Sequence, residues 1–161
     1  MGKVLSSFGN GFVGSVSKSI DNVILPLANT GENEIGFGMP VAFDEDKIGA
    51  VLFDGAEMTT ADFIGVTVRN PAKTPSEYGK SEGGYAPGDI MDVLVRGHIV
   101  VKVVSANPGP APGDPVAVLK SGGRFTAGSE STKLPLTNAR YSSSADASGL
   151  AEIVLDKRNL I

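Results

Sequence analysis

Read for its hydrophobic and polar positions, the chain is a series of short apolar runs cut by turn residues. The clearest run spans residues 63–69, where Ile64, Val66 and Val68 alternate with Thr67 and Arg69. A period of two marks a half-buried strand, so Ile64, Val66 and Val68 are expected to share one face. Two further alternating runs, residues 90–95 and 98–104, are hinged at Arg96-Gly97. Met91, Val93 and Val95 face one way with Asp92 opposite. Ile99, Val101 and Val103 are expected in the core, leaving His98, Val100 and Lys102 outside. Residues 23–27, 40–43 and 50–53 are shorter runs, closed by Asn29-Thr30-Gly31, Asp44-Glu45-Asp46 and Asp54-Gly55. Residues 115–119 and 124–126 are expected to pair around Ser121-Gly122-Gly123, and residues 136–141 and 150–155 supply the closing strands.

About ten short strands without a helix predict an all-β fold, an antiparallel β-sandwich or partly closed β-barrel, over residues 21–161. Residues 1–20 differ, being rich in Gly and Ser with apolar side chains at no regular spacing. A free tail needs no pair of phenylalanines, so this stretch reads as an extended N-terminal arm that docks on something. Residues 70–87 form a long loop with Pro71, Pro75 and Pro87, of a length that is usually functional or ordered by a partner. Residues 107–112 are too proline-rich for a helix or a central strand.

Composition sharpens this picture. In 161 residues there are 21 glycines and 10 prolines, which fits a turn-rich chain. The absence of cysteine excludes disulfides and thiolate metal sites and fits folding in a reducing cytosol. A formal net charge of -4 argues against sequence-independent nucleic-acid binding, which needs a surplus of Lys and Arg. No apolar run approaches the ~18 residues of a membrane span, and the start has no apolar core expected of a cleaved signal peptide.

The motifs that look chemical do not hold up. Gly9-Asn10-Gly11-Phe12-Val13-Gly14 matches G-x-G-x-x-G, but only eight residues precede it and Ser15-Val16-Ser17 starts a helix poorly. His98 is the single imidazole, and no Gly-x-Ser-x-Gly elbow exists to present a serine to it. Asp44-Glu45-Asp46 lacks the spacing of a calcium loop and reads as a solvated turn. Asp89, Asp92 and Asp114 have no cleft assigned by the sequence. Ala86-Pro87-Gly88-Asp89 recurs as Ala111-Pro112-Gly113-Asp114, each opening a strand; this reads as one good turn used twice. No catalytic, cofactor or metal residue is predicted.

The runs 63–66, 85–89, 93–101 and 113–116, with the late Gly149-Leu150-Ala151-Glu152-Ile153, resemble the structural cement (capsid decoration) proteins of tailed bacteriophages. The likeness covers roughly residues 36–155. It implies a β-rich, non-enzymatic protein on the outer surface of the virion, made in the host bacterial cytoplasm. Such a protein binds the major capsid protein and often itself as a homotrimer, bridging neighbouring capsid subunits. Partner contacts are expected from Phe8 and Phe12 in the arm, from Pro75, Tyr78 and Tyr85 in and beside the long loop, and from Pro110. The residues also leave open a tail, fibre or host-adhesion module, and a small β-barrel enzyme or ligand-binding protein.

Overall fold

The computed structural model describes residues 10–54, 56–73, 83–104, 109–128 and 131–156, with backbone only for residues 19 and 20. Its strands are β1 (Val16–Asn29), β2 (Ile35–Gly36), β3 (Pro40–Phe43), β4 (Gly49–Leu52), β5 (Phe63–Thr67), β6 (Gly84–Tyr85), β7 (Ile90–Lys102), β8 (Pro115–Leu119), β9 (Phe125–Ala127), β10 (Lys133–Tyr141) and β11 (Leu150–Leu155). Among the described residues one 3-10 turn, Pro71–Lys73, interrupts them. The all-β expectation holds, and of the two architectures the barrel is the one that forms.

Strands β1, β4, β3, β5 and β7 follow one another laterally, and β7 returns to pair with β1, closing a five-stranded barrel. Antiparallel order cannot alternate all the way round an odd ring, so one junction must run parallel. That junction is β1–β4, with Ala28 opposite Gly49 and Asn29 opposite Ala50. The other four junctions of the barrel are antiparallel, as the sequence leads one to expect. From β7 the sheet continues through β11, β10, β8 and β9. It curls until Val103 forms a parallel bridge with Phe125, where the Val104 N–H donates to the Phe125 carbonyl at 2.9 Å. A second, loosely closed ring of five strands therefore shares β7 with the barrel and has its own parallel junction.

Each ring has an apolar filling. The barrel encloses Val41, Ala50, Ile64, Met91, Val93 and Val95, to which the small β2–β6 sheet adds Ile35, Phe37 and Tyr85. The second core gathers Ile99, Val101, Val116, Val118, Phe125, Leu136, Tyr141 and Ile153, and it packs on the outer wall of the barrel at Ala42, Phe63, Val66 and Leu94. Burial of this apolar surface is the main term favouring the fold.

Two bulges set which side chain enters which core. In β5, Val41 pairs with Gly65 but Ala42 pairs with Phe63, so Ile64 is an extra residue. Ile64 therefore faces the barrel interior while Phe63 and Val66 face the second core, correcting the expectation that Ile64 and Val66 share a face. In β7, Met91, Val93 and Val95 fill the barrel, whereas Leu94 and then Ile99, Val101 and Val103 fill the second core. The parity of the strand changes once, at the hinge the sequence placed at Arg96-Gly97. Gly97 has φ of 124°, and a Cβ there would collide with the Asn22 amide of β1. Opposite the hinge β1 bulges between Lys18 and Val23, with Asp21 at φ 67° and its carboxylate ion-paired to Arg96.

Val100 is buried, not exposed as expected, because the chain before β1 runs beside it. The Gly14 N–H donates to the Val100 carbonyl at 2.8 Å, and the Val100 N–H donates to that of Ser15 at 3.0 Å. Gly97→Ala is expected to cost about 1–3 kcal/mol from backbone strain alone, before any displacement of Asn22. Chemical denaturation of the variant against the parent measures it; an unchanged midpoint would contradict the hinge assignment.

Candidate functional site

No enclosed, polar catalytic pocket stands out among the described residues; surfaces and seams carry the distinctive chemistry. A concavity of about 560 Å³ is an open groove at the junction of the two rings. Val13, Phe37, Met39, Val103 and Phe125 line it, with the exposed cations Lys102 and Arg124 at its edge. None of its lining residues bears a carboxylate, a thiol or an imidazole.

The described part of the N-terminal stretch is clamped across the shared strand. The Asn10 N–H donates to Asp146 Oδ2 at 2.9 Å, and its side-chain amide donates to the Leu150 carbonyl at 2.6 Å. Arg69 stacks its guanidinium 4.4 Å from the centre of the Phe12 ring and donates its N–H to the Gly14 carbonyl. Further on, Lys18 pairs with Glu152 at 3.0 Å, and the Ser142 hydroxyl donates to the same carboxylate oxygen at 2.6 Å. The boundary expected after residue 20 thus falls inside β1, and residues 10–18 lie against the domain.

Two carboxylates hold this clamp. Burial opposes ionisation of Asp146, but the amides of Asn10, Leu150 and Ser148 outweigh it and keep the group below its ordinary 3.8. Burial likewise opposes charge on Glu152, and Ser142, Ser17 and Lys18 together hold it below its ordinary 4.5.

The paired Ala-Pro-Gly-Asp segments form the same turn twice. Asp89 Oδ2 accepts from the Ala86 N–H at 2.9 Å and Asp114 Oδ2 from the Ala111 N–H at 2.8 Å. Gly88 and Gly113 both have positive φ, 86° and 93°, the conformation that glycine supplies after proline in a turn. Each turn also grips the end of another strand. Gly88 donates to the Asn29 carbonyl and Asp89 accepts from the Asn29 N–H; Gly113 and Asp114 do the same with Tyr141. The turn reading of this echo is what the structure contains.

The predicted contact residues are scattered. Phe8, Pro75 and Tyr78 lie outside the described residues. Phe12 is half-buried under Arg69. Tyr85 is a core residue: its ring packs edge-on against Phe37 at 5.4 Å between centroids, and its hydroxyl donates to the Val68 carbonyl at 2.7 Å. Pro110 is also buried. Tyr85 and Pro110 therefore present no free side chain to a partner in this fold, because each fills space within it. His98 sits half-buried in β7 between Lys18 and Val154, without a neighbouring acid in register. Asp44 caps its own turn, accepting from Ile48 and Gly49 at 2.9 and 3.1 Å. Among the described residues no three His, Cys, Asp or Glu side chains converge as a metal site.

The sequence reading missed a patch on the outer barrel wall. Ile24, Ile48 and Ile90 are 42%, 75% and 61% exposed, and they are the large hydrophobic side chains that stand out in solvent among the described residues. Ile90 pairs directly with Ala28, Ile24 lies four residues from Ala28 on the same face of β1, and Ile48 precedes Gly49, the partner of Ala28 on its other side. Consecutive apolar residues in 23–25 were the available signal, since one of the two faces had to be solvent.

Acidification should loosen the clamp. Both carboxylates are depressed in the folded state, so their stabilisation is complete above the ordinary values of 3.8 and 4.5 and is lost as pH falls through the lower, folded values. Hydrogen exchange at Gly14 and Val100 is expected to accelerate relative to the β11 amides below about pH 4, and Asp146→Asn should bring part of that loss to neutral pH. Equal protection at both acidities would contradict the clamp.

Comparison with known proteins adds three findings. No curated protein sequence matches the chain. A chain in the structure titled "The capsid of Myoviridae Phage XM1" matches with a TM-score of 0.74 at 19% identity, over 96% of each chain, which establishes a common fold. The family described as "Structural cement protein (E217 gp24/Pam3 gp6)" matches residues 3–156. A match along almost the whole chain, on a two-ring β scaffold shared with a phage capsid structure, places this protein in the phage structural cement protein family.

Proposed function

We propose that this protein binds the outside of a phage head and cements neighbouring major capsid subunits, with no enzymatic activity of its own. The family match over residues 3–156 carries the reading. The architecture supports it. A clamp must transmit load without deforming, and two rings sharing one long strand leave few unpaired edges to yield. The Pro-Gly-Asp turns and the Asn10–Lys18 clamp tie strand ends to neighbouring strands, so local opening there costs several hydrogen bonds.

The reaching elements in this proposal are those read from the sequence, the N-terminal arm of residues 1–20, the long loop of residues 70–85 and the proline-rich segment 107–112. A homotrimer gripping several capsid subunits would gain avidity from effective concentration, so each contact can be modest. The net charge of -4 suits a position outside a DNA-filled shell, where packaged phosphate exerts no pull on it.

Purified protein is expected to co-sediment with heads lacking it and to raise their thermal disruption temperature. A truncation beginning at Asn10 should stay folded but lose much of that stabilisation, and analytical ultracentrifugation of the free protein should give a trimer. Failure of the full chain to bind heads, or binding to purified tails instead, would contradict the proposal.

A further inference from the structure

We infer that the isoleucine patch around Ala28 is the docking face, and that it fits a protein surface with an apolar centre and a Lys/Arg rim. The inference rests on the cementing reading above and names the part of this chain that makes the contact.

Three observations carry it. Ile90 and Ala28 are direct register partners on adjacent strands, and Gly49, the partner of Ala28 on its other side, directly follows the exposed turn residue Ile48. Ile24 and Pro26 extend the patch along β1, their neighbours Leu25 and Leu27 turning inward to the barrel core. Such a grouping of exposed branched side chains on a rigid wall is the usual centre of a protein contact. The wall is also not an edge, since β1 is paired on both sides at Ala28. A partner must therefore meet side chains and cannot add a strand.

Charge selects the partner. Asp92 stands opposite Pro26 in the β1–β7 register, Asp89 leads into Ile90, and Asp44, Glu45 and Asp46 precede Ile48. Against these five acids the same wall offers Lys47 and Arg96, and Arg96 is already ion-paired with Asp21. A second copy of this chain would set acidic rim against acidic rim. A basic rim complements it and speeds encounter.

The test is co-sedimentation of Ile48→Asp and Ile90→Asp variants with purified heads lacking this protein, beside a Lys120→Glu control on the β8–β9 turn. Ile48 projects from an exposed turn, so its variant stays folded even if Ile90→Asp does not; circular dichroism and a melting curve check both. Each isoleucine variant is expected to bind at least tenfold more weakly, the control within twofold of the parent, and parent binding should weaken as salt rises. Parent binding with unaffected isoleucine variants would overturn the docking face and leave the cementing role standing. Loss of self-association in the variants, with head binding retained, would also overturn it by assigning the patch to a second copy. Absence of parent binding would instead overturn the cementing role itself.

Discussion

One strand serving two cores is the constraint from which the rest of this structure follows. Strand β7 spends its first half lining the barrel with Met91, Val93 and Val95, and its second half lining the other ring with Ile99, Val101 and Val103. A regular strand keeps each parity on one side, so the two halves are compatible only if one residue is inserted between them. The register places the extra residue beside the hinge, where Val23 pairs with Arg96 but Ile24 with Leu94, and Gly97 turns the strand there in a backbone conformation that side chains rarely adopt, where Asn22 leaves no room for one. The bulge of β1 and the Asp21–Arg96 pair accommodate the same bend from the neighbouring strand. Both rings then have an odd number of strands and each closes through a parallel junction, β1–β4 in one and Val103–Phe125 in the other.

This arrangement explains why the molecule is suited to bearing load. The two cores meet across the barrel wall, where Leu94, Val66, Phe63 and Ala42 pack against the second ring, so the rings cannot slide without opening apolar surface. The ends of β1 and β10 are gripped by the same turn, and the chain before β1 is stitched over β7 and β11. Several buried polar groups are used within the fold: Asn29 donates to the Tyr85 and Asn33 carbonyls, and Tyr141 donates to the Thr126 carbonyl while burial pushes its phenol up. This use of buried polar groups accords with the structural role of the cement protein family.

Much of the scaffold was legible because strand identity is a local property. Runs with period two and Gly/Asp/Pro punctuation located β3, β4, β5, β8, β10 and β11, and the hinge at Arg96-Gly97 was visible as a break between two alternating runs. Bulges were not legible, since an inserted residue changes facing only through its partner strand; hence the misplaced face of Ile64, while Val100 was misplaced because the chain before β1 covers it. Strands β2 and β6 have two residues each and leave no periodicity to read. Tyr85 and Pro110 looked like surface anchors because loop aromatics and prolines often are; here they fill internal space set by distant strands. The patch at Ile24, Ile48 and Ile90 is assembled from three separate strands or turns, and only the register reveals it.

A cryo-electron microscopy reconstruction of heads saturated with the full chain tests the central claim most directly. The account predicts two-ring density on the outer surface at seams between capsid subunits, with the Ile24–Ile48–Ile90 wall turned toward the shell. Density inside the shell, at the tail vertex alone, or centred on single capsid subunits without bridging them would contradict it.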